Sequence, residues 1–284
     1  MNNNLIKTRR EEAANYKAVW CNGKTLRFAI DATKPILELQ YPEFYDIKVT
    51  SNCEGKCPYC YMDSKPEAHF DNIIGKTRDF FNGMTKEQLP FQVALGGGEP
   101  TSHPDFIKLL MVLKDEYDIC PNYTTNGMWT KDKEKWEPLL WNTQKYCGGV
   151  AVSCHPHLND FWELAAELYS TYKIRLNFHV IISDKESIDY FTEIYKKWSD
   201  KVDYFVLLPY GNQGRAEAKE IDWEYLVKCL PTDQRKIAFG ANFYPYLLKG
   251  DHNIKISLYE PEIMSKFLDL SDMRIHKSSF NLES

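Results

Sequence analysis

The sequence predicts an α/β fold: a partial (β/α)6 TIM-like barrel with an N-terminal strand extension and a small C-terminal α+β extension. Three observations favour this class. Short apolar, β-branched runs alternate with amphipathic runs about every 30 residues, which is the rhythm of parallel βαβ units. Several strand candidates are apolar without interruption, as strands buried on both faces are. A chain of 284 residues that is 43% apolar and 14% aromatic can fill a core of that size.

Six strands and five helices are expected in alternation. The strands are predicted at 46–51, 91–95, 122–125, 149–153, 175–182 and 203–208, and the helices at 70–81, 103–117, 133–146, 159–172 and 185–198. Pro138 falls inside the third helix and is expected to bend it. Right-handed crossovers bring the carboxyl ends of all six strands to one mouth, where α/β folds keep their chemistry.

The remaining residues divide into two flanks. Residues 1–44 form the predicted N-terminal extension, in which the Asn22-Gly23 pair is typical of a hairpin turn. Residues 45–215 form the barrel core. Residues 216–284 form the C-terminal extension, which is expected to pack on the barrel. This last segment holds one predicted helix, "DWEYLVKCL", and two strand-like pieces, "ANFYPYLL" and "IKISLY".

Composition narrows the function classes. The amino terminus lacks the apolar stretch of a secretory signal, and no run of eighteen apolar residues exists, so we expect a cytoplasmic protein with no membrane span. The formal net charge is −5 with no basic stripe, which argues against a nucleic-acid partner. In such a protein the eight cysteines should be reduced thiols. Clustered cysteines then point to a metal.

Three cysteines follow the first predicted strand: Cys53, Cys57 and Cys60. Soft thiolates select iron–sulfur clusters, zinc or copper(I). Three ligands are one short of a closed site, which leaves two alternatives. Zinc would take a fourth ligand from elsewhere, for example His69 or Cys154. An iron–sulfur cluster on three cysteines would keep one iron open, as a catalytic metal keeps a position for its substrate.

A glycine-rich turn ends the second predicted strand. It reads "LGGGEP" and contains Gly97, Gly98 and Glu99. Glycines let the backbone approach a ligand closely, although such a run is also common in a tight βα turn. This run lies one βα unit after the cysteines and on the same rim of the barrel, so the two motifs are expected to share a site.

The combination of "CEGKCPYC" with "GGGEP" resembles the radical S-adenosylmethionine (radical SAM) superfamily. Its cluster loop is C-x3-C-x2-C with an aromatic residue before the last cysteine, and its second strand ends in GGEP. The resemblance extends over residues 46–215, through "TTNG", "VAVS" and "LPYGNQGRA". It is similar to the MoaA/SPASM-like branch, but the C-terminal cysteines of auxiliary clusters are missing. Cys229 is the only cysteine after residue 154.

The resemblance implies a ligand set and a mechanism. Cys53, Cys57 and Cys60 would bind a [4Fe-4S] cluster, and the amino and carboxylate groups of S-adenosylmethionine would chelate the open iron. One electron from an external donor of the flavodoxin or ferredoxin type would cleave S-adenosylmethionine. The resulting 5′-deoxyadenosyl radical would abstract hydrogen from the substrate. In such chemistry the cofactors react, and the protein positions them and excludes water.

The resemblance also implies residues that bind the cofactor. Tyr59 would pack beside the cluster and the adenine, Gly97, Gly98 and Glu99 would line the amino group, Ser153 would contact the ribose or carboxylate, and Asn126 would face the same cavity. It names no catalytic side chain.

Other polar residues near the mouth have two readings each. Cys154 could return a hydrogen atom to a substrate radical or be a packed core residue, and His155 follows it directly. His179 and Asn177 alternate along the fifth strand and are either substrate contacts or a satisfied interior pair. Arg215 either pairs with a carboxylate or lies in a surface turn.

The function expected from the sequence is that of a radical SAM enzyme with an unidentified substrate, either a peptide or a small molecule or nucleotide. The alternative is a non-catalytic module that binds zinc or an electron-transfer cluster through the same cysteines.

Overall fold

A computed structural model describes residues 6–21, 23–67, 69–211, 213–217, 219–248, 254 and 261–280. Its strands are β1 (Ile6–Glu11), β2 (Tyr16–Cys21), β3 (Lys24–Ala29), β4 (Phe44–Thr50), β5 (Gln92–Gly97), β6 (Cys120–Thr125), β7 (Gly149–Ser153), β8 (Leu176–Ile182), β9 (Tyr204–Pro209), β10 (Ile237–Phe239), β11 (Ser265–Asp269) and β12 (Arg274–His276). Its α-helices are α1 (Ile73–Phe81), α2 (Phe106–Met111), α3 (Trp136–Tyr146), α4 (Asn159–Thr171), α5 (Lys185–Trp198), α6 (Trp223–Cys229) and α7 (Tyr244–Leu248).

The six predicted core strands are β4 to β9, and each pairs in parallel with the next. Helices α1 to α5 connect them in sequence. Strands β4 to β9 lie within a nine-stranded sheet of order β10-β9-β8-β7-β6-β5-β4-β11-β12. Within the described residues this sheet has two edges, at β10 and β12, so the barrel is partial and open. The predicted fold class is confirmed.

Along a core strand, successive side chains point alternately toward the helices and toward the lumen of the barrel. In β4, Tyr45, Ile47 and Val49 are buried in the main core. The intervening Asp46 lines the cavity at the mouth of the barrel. The lumen side therefore carries side chains that are available to a ligand.

The structure corrects the expectation that Pro138 bends the third helix. Pro138 lies in the first turn of α3, whose N-terminal boundary is Trp136. A proline in the first turn removes no intrahelical hydrogen bond, because the first four N–H groups of a helix have no partner within it. Pro138 therefore does not bend the helix internally.

The N-terminal segment forms a separate antiparallel sheet of order β1-β2-β3. Cys21 at the end of β2 pairs with Lys24 at the start of β3, so these strands form the predicted hairpin. Asn22 lies outside the described residues, and Gly23 has φ +77°. Tyr16 and Trp20 pack in a second core with Phe91, which immediately precedes β5. This sheet therefore lies at the amino-terminal end of the barrel, away from the mouth.

The C-terminal residues extend the central sheet at both edges. β10 joins β9 in parallel, β11 joins β4 in parallel, and β12 pairs with β11 in antiparallel. The predicted helix in 222–230 is confirmed as α6. The strand-like reading of 241–248 is wrong, because these residues form a 3-10 turn followed by α7. Apart from Ile254, the predicted strand at 254–259 lies outside the described residues.

The divisions at residues 44 and 215 stay predictions. No helix in the described ranges has the length and apolar character needed to cross a membrane.

Candidate functional site

A cavity of about 340 Å³ lies at the carboxyl ends of the core strands. This volume is within the range of small-molecule sites, about 300–1,000 Å³. The structure brings all nine residues of the predicted site to its lining: Cys53, Cys57, Tyr59, Cys60, Gly97, Gly98, Glu99, Asn126 and Ser153. They come from the loop after β4 and from the ends of β5, β6 and β7.

The cysteine loop follows β4 directly, and its thiols are only partly accessible. The Cys53 Sγ accepts hydrogen bonds from the backbone N–H of Gly55 at 3.3 Å and from Asn126 Nδ2 at 3.6 Å. A Cβ atom at Gly55 would lie 3.3 Å from Cys53 Sγ and 3.6 Å from Cys57 Sγ. Gly55 therefore keeps the space between the first two sulfurs clear of side chain.

Burial controls the protonation of these thiols. It raises the pKa of Cys53 to about 11 and that of Cys57 to about 12. A metal binds the thiolate, so binding at neutral pH releases protons from these two residues.

The turn after β9 is hydrogen-bonded to the cysteine loop through Arg215. Arg215 Nε donates to the carbonyl of Cys57 at 3.2 Å, and the Arg215 backbone N–H donates to the carbonyl of Cys60 at 3.0 Å. Arg215 Nη1 forms an ion pair with Asp63 at 2.7 Å. Gly214 has φ +63°, and a Cβ atom there would lie 2.4 Å from the Cys60 carbonyl oxygen. Both alternatives for Arg215 are found, because it lies in a turn and pairs with the carboxylate of Asp63.

The glycines of this turn have two different structural roles. A Cβ atom on Gly98 would lie 2.3 Å from the carbonyl oxygen of Asn52, and one on Gly97 would lie 2.5 Å from that of Thr50. These two glycines therefore permit the close backbone approach of the turn to the start of the cysteine loop. Gly96 differs, because a Cβ atom there would meet nothing within 4 Å. Its open side lines the cavity.

Glu99 joins the ends of β5 and β6. Its Oε1 accepts hydrogen bonds from the hydroxyls of Thr101 at 2.6 Å and Thr125 at 2.8 Å, and its Oε2 accepts from the Asn126 N–H at 2.7 Å. Burial raises the pKa of this carboxyl, and the hydrogen bonds partly offset that effect. Oε1 also accepts from the Thr101 N–H at 3.3 Å, so three of these four hydrogen bonds go to Oε1 and one goes to Oε2. Oε2 is therefore the oxygen with room for a further donor.

Comparison with known proteins matches one segment of the chain to a known family. Residues 47–142 match the family model of the radical SAM superfamily. That range holds the cysteine loop, the glycine turn and Asn126. This segment of the chain is similar to the radical SAM domain.

Individual proteins are also similar to this chain. Over 89 residues the chain is 29% identical to a probable GTP 3′,8-cyclase of Methanococcus maripaludis, which covers 30% of this chain and 28% of that protein. The structure of Streptococcus suis SuiB bound to precursor peptide SuiA matches with a TM-score of 0.64 and 18% identity, over 85% of this chain and 60% of SuiB. Native anSMEcpe with bound AdoMet matches with a TM-score of 0.58 and 16% identity, over 85% and 76% of the respective chains.

The chain spans less than two thirds of the cyclase and of the SuiB chain in that complex. At these identities the structural matches show a shared fold.

The cofactors of the radical SAM superfamily are a [4Fe-4S] cluster and S-adenosylmethionine, and the residues present fit both. Within the part of the chain that the structure describes, no three His, Cys, Asp or Glu side chains converge tightly enough to hold a single metal ion. A four-iron cluster needs thiolates that border a cavity instead of meeting at one point. Cys53, Cys57 and Cys60 border one.

Tyr59, the aromatic residue of the cysteine loop, packs against His155, which follows β7. Tyr59 Oη and His155 Nδ1 are 3.2 Å apart, and the two ring centroids are 5.4 Å apart. Burial lowers the pKa of His155 to about 3, so this histidine is neutral at physiological pH. Cys154 is buried in the core and is absent from the described cavity lining, as a packed residue would be. His69 is exposed and is likewise not part of that lining.

Sequence reasoning missed two residues that line this cavity. Gly96 is the glycine whose open side faces the cavity, and Asp46 is a carboxylate on the lumen side of β4. Both occupy positions that alternate with buried apolar residues, and this alternation was the available signal. His179, left between two readings, does line the cavity. Asn177 lines a second cavity further toward the amino ends of the strands.

Proposed function

We propose that the chain is a radical SAM enzyme that reductively cleaves S-adenosylmethionine at a [4Fe-4S] cluster bound by Cys53, Cys57 and Cys60. The observation that carries this proposal is the shared cavity. Three thiols from one loop and the glycine–glutamate turn of the next βα unit line the same 340 Å³ space. Three thiolates leave one iron free for a chelating ligand.

Other residues that line the cavity suit different parts of S-adenosylmethionine. The remaining acceptor position on Glu99 Oε2 suits the amino group of the methionine moiety. The open side of Gly96 leaves room for that moiety, and Ser153 at the end of β7 suits the ribose or carboxylate. Tyr59, whose pKa is raised by burial, stays protonated and packs beside the cluster and adenine.

When bound, the two cofactors supply a 5′-deoxyadenosyl radical that takes a hydrogen atom from the substrate. The chain holds the cluster loop through Arg215, orients S-adenosylmethionine and lines the reaction space with apolar side chains such as Ile181, Leu208 and Phe267. These side chains limit the access of water.

A peptide or a small molecule such as a nucleotide is the proposed substrate. The fold of SuiB, a protein solved with a precursor peptide, supports the first class. The local identity to a probable GTP 3′,8-cyclase supports the second. An external one-electron donor and a cytoplasmic location belong to the same proposal.

The test is release of 5′-deoxyadenosine. Anaerobically reconstituted protein is mixed with dithionite and S-adenosylmethionine, and the product is quantified by chromatography. We expect turnover by the wild type and by the control Cys229→Ala, whose cysteine lies on α6. Cys57→Ala should lose the cluster and the product. A colourless, zinc-loaded wild-type protein with no turnover would instead support the non-catalytic alternative.

A further inference from the structure

Asp46 places a carboxylate in the barrel lumen. It lies on β4, where it pairs with Ala94 of β5 and with Phe267 of β11, and all three residues line the cavity. Across the described residues, the Asp46 side chain makes no hydrogen bond or ion pair. The Asp46 side chain is open to the cavity, so a ligand there can contact the carboxylate directly. Desolvation by the surrounding barrel raises the pKa of this carboxyl to about 7, and a cation bound beside it would favour the charged form.

Aromatic rings surround the same corner of the cavity. Phe267 is the register neighbour of Asp46. Tyr61 and Phe280 stack with ring centroids 4.6 Å apart, and both line the cavity. Burial is the main cause of the raised pKa of Tyr61, and the negative charge of Asp46 adds to it. A carboxylate beside aromatic faces is the environment that cationic nitrogen groups prefer.

The charge of the cavity agrees with a cationic ligand. Its described lining contains the carboxylates of Asp46 and Glu99 and neither lysine nor arginine. Glu99 already accepts hydrogen bonds from Thr101, Thr125 and the Asn126 N–H, whereas Asp46 accepts none. The negative charge that protein donors leave unpaired in this cavity is therefore that of Asp46.

The wall across the lumen is uncharged. His179 lies on β8, which three strands separate from β4 in the sheet, and it lines the same cavity. Burial lowers its pKa to about 4, so the imidazole is neutral at physiological pH. The lumen thus has one anionic side and one neutral polar side.

We propose that Asp46 binds a cationic nitrogen, a primary ammonium or a guanidinium, which the substrate carries on an apolar stem. This inference rests on the proposed function, because it assigns a substrate class to the same cavity. The nitrogen pairs with the carboxylate and packs on the rings of Phe267 and Phe280. The stem lies along the apolar lining toward the cofactor.

Small probes test this assignment without knowledge of the substrate. n-Butylammonium, n-butylguanidinium, n-butanol and butyrate are titrated by calorimetry into the cluster-loaded protein with saturating S-adenosylmethionine. We expect the two cations to bind and the alcohol and the anion not to bind. Asp46→Asn should weaken cation binding at least about tenfold. Asp79→Asn, which removes the same charge from an exposed position of α1, should leave it unchanged.

The proposal would be overturned by cation binding that survives Asp46→Asn, by equal binding of butanol or butyrate, or by no cation binding to the wild type. Loss of S-adenosylmethionine affinity in Asp46→Asn would also overturn it, because the carboxylate would then belong to the cofactor site. If Asp46→Asn does not fold, the pKa of wild-type Asp46 is measured instead, by following its carboxyl carbon in a pH titration with carbon-13 NMR. Its pKa should fall when n-butylammonium is added and stay constant with butanol. Absence of 5′-deoxyadenosine from the wild type would count against the proposed function alone.

Discussion

The guanidinium of Arg215 donates a hydrogen bond to the backbone carbonyl of Cys57 over 3.2 Å. The two residues are 158 positions apart in the chain. A residue that follows the last core strand thereby holds the loop that follows the first. The second bond, from the Arg215 N–H to the Cys60 carbonyl, fixes the third cysteine in the same way. The spacing of the thiols thus depends on a turn outside the cysteine motif.

Replacing Arg215 should loosen the cysteine loop. Arg215→Ala removes the side-chain bonds to the carbonyls of Cys57 and Ser64 and the pairing with Asp63. We expect the free energy of unfolding to fall by about 2 kcal/mol, since hydrogen bonds to charged groups contribute about 1.5–3 kcal/mol. Iron content after reconstitution should also fall. Chemical denaturation and iron analysis measure both effects.

Arg235→Ala is the matched control, because Arg235 pairs with Asp233 on the surface with 88% of its side chain exposed. It should change neither quantity. Equal iron content in Arg215→Ala and the wild type would contradict a positioning role for Arg215.

Alanine at Gly98 should destabilise the protein. Its Cβ would lie 2.3 Å from the Asn52 carbonyl oxygen, so the backbone of the turn or of the cysteine loop must move. Such overpacking costs about 1–3 kcal/mol. Thermal unfolding of the metal-free protein measures this cost. Gly83→Ala has no atom within 4 Å of the new Cβ and should unfold as the wild type does. A Gly98→Ala protein with unchanged stability would show that the two segments are not in tight contact.

Valine at Gly96 should spare the fold and block the cofactor. Its Cβ meets no atom within 4 Å, and its side chain projects into the cavity. We expect a well-folded protein whose affinity for S-adenosylmethionine is at least about tenfold lower, as equilibrium dialysis of the reconstituted protein would show. Gly83→Val, on an exposed glycine, is the control. Wild-type affinity in Gly96→Val would place S-adenosylmethionine elsewhere.

Asp46 should make stability depend on pH. Its folded pKa is about 7, above the ordinary value of 3.8. Between these values the folded protein keeps a proton that the unfolded chain has released, so stability falls as pH rises from about 4 to about 7. Asp46→Asn removes this dependence. In thermal unfolding of metal-free protein, the variant should therefore melt above the wild type at pH 8 and close to it at pH 4. A constant difference across that range would contradict the raised pKa of the carboxyl.

Local patterns were sufficient to predict the core of this fold. The strands β4 to β9 are short runs of apolar or β-branched residues, and α1 to α5 carry apolar residues at helical spacing. The nine residues of the predicted site share a cavity because parallel strands bring their carboxyl ends together. The resemblance in the cysteine and glycine motifs supplied the residue list, and the structure tests only its placement.

Long-range and lumen features escaped prediction for physical reasons. β11 pairs with β4, for example Phe267 with Asp46, and no local pattern specifies a partner so distant in the chain. The helical segment 241–248 is rich in aromatic residues, a composition that strands also favour. Asp46 resembles a solvent-facing residue in an alternating strand, because alternation does not distinguish a lumen from bulk water. Gly96 could not be separated from its neighbours without knowing which backbone each glycine approaches.

Electron paramagnetic resonance of the reduced cluster, recorded with and without S-adenosylmethionine, tests the central claim most directly. If three thiolates leave one iron open, S-adenosylmethionine should bind that iron and shift the g-values. S-adenosylmethionine labelled with nitrogen-15 at its amino group should then show hyperfine coupling to the cluster. A spectrum that stays the same after the addition, with no coupling, would mean that all four irons are already saturated. That result would contradict the account given for this cavity.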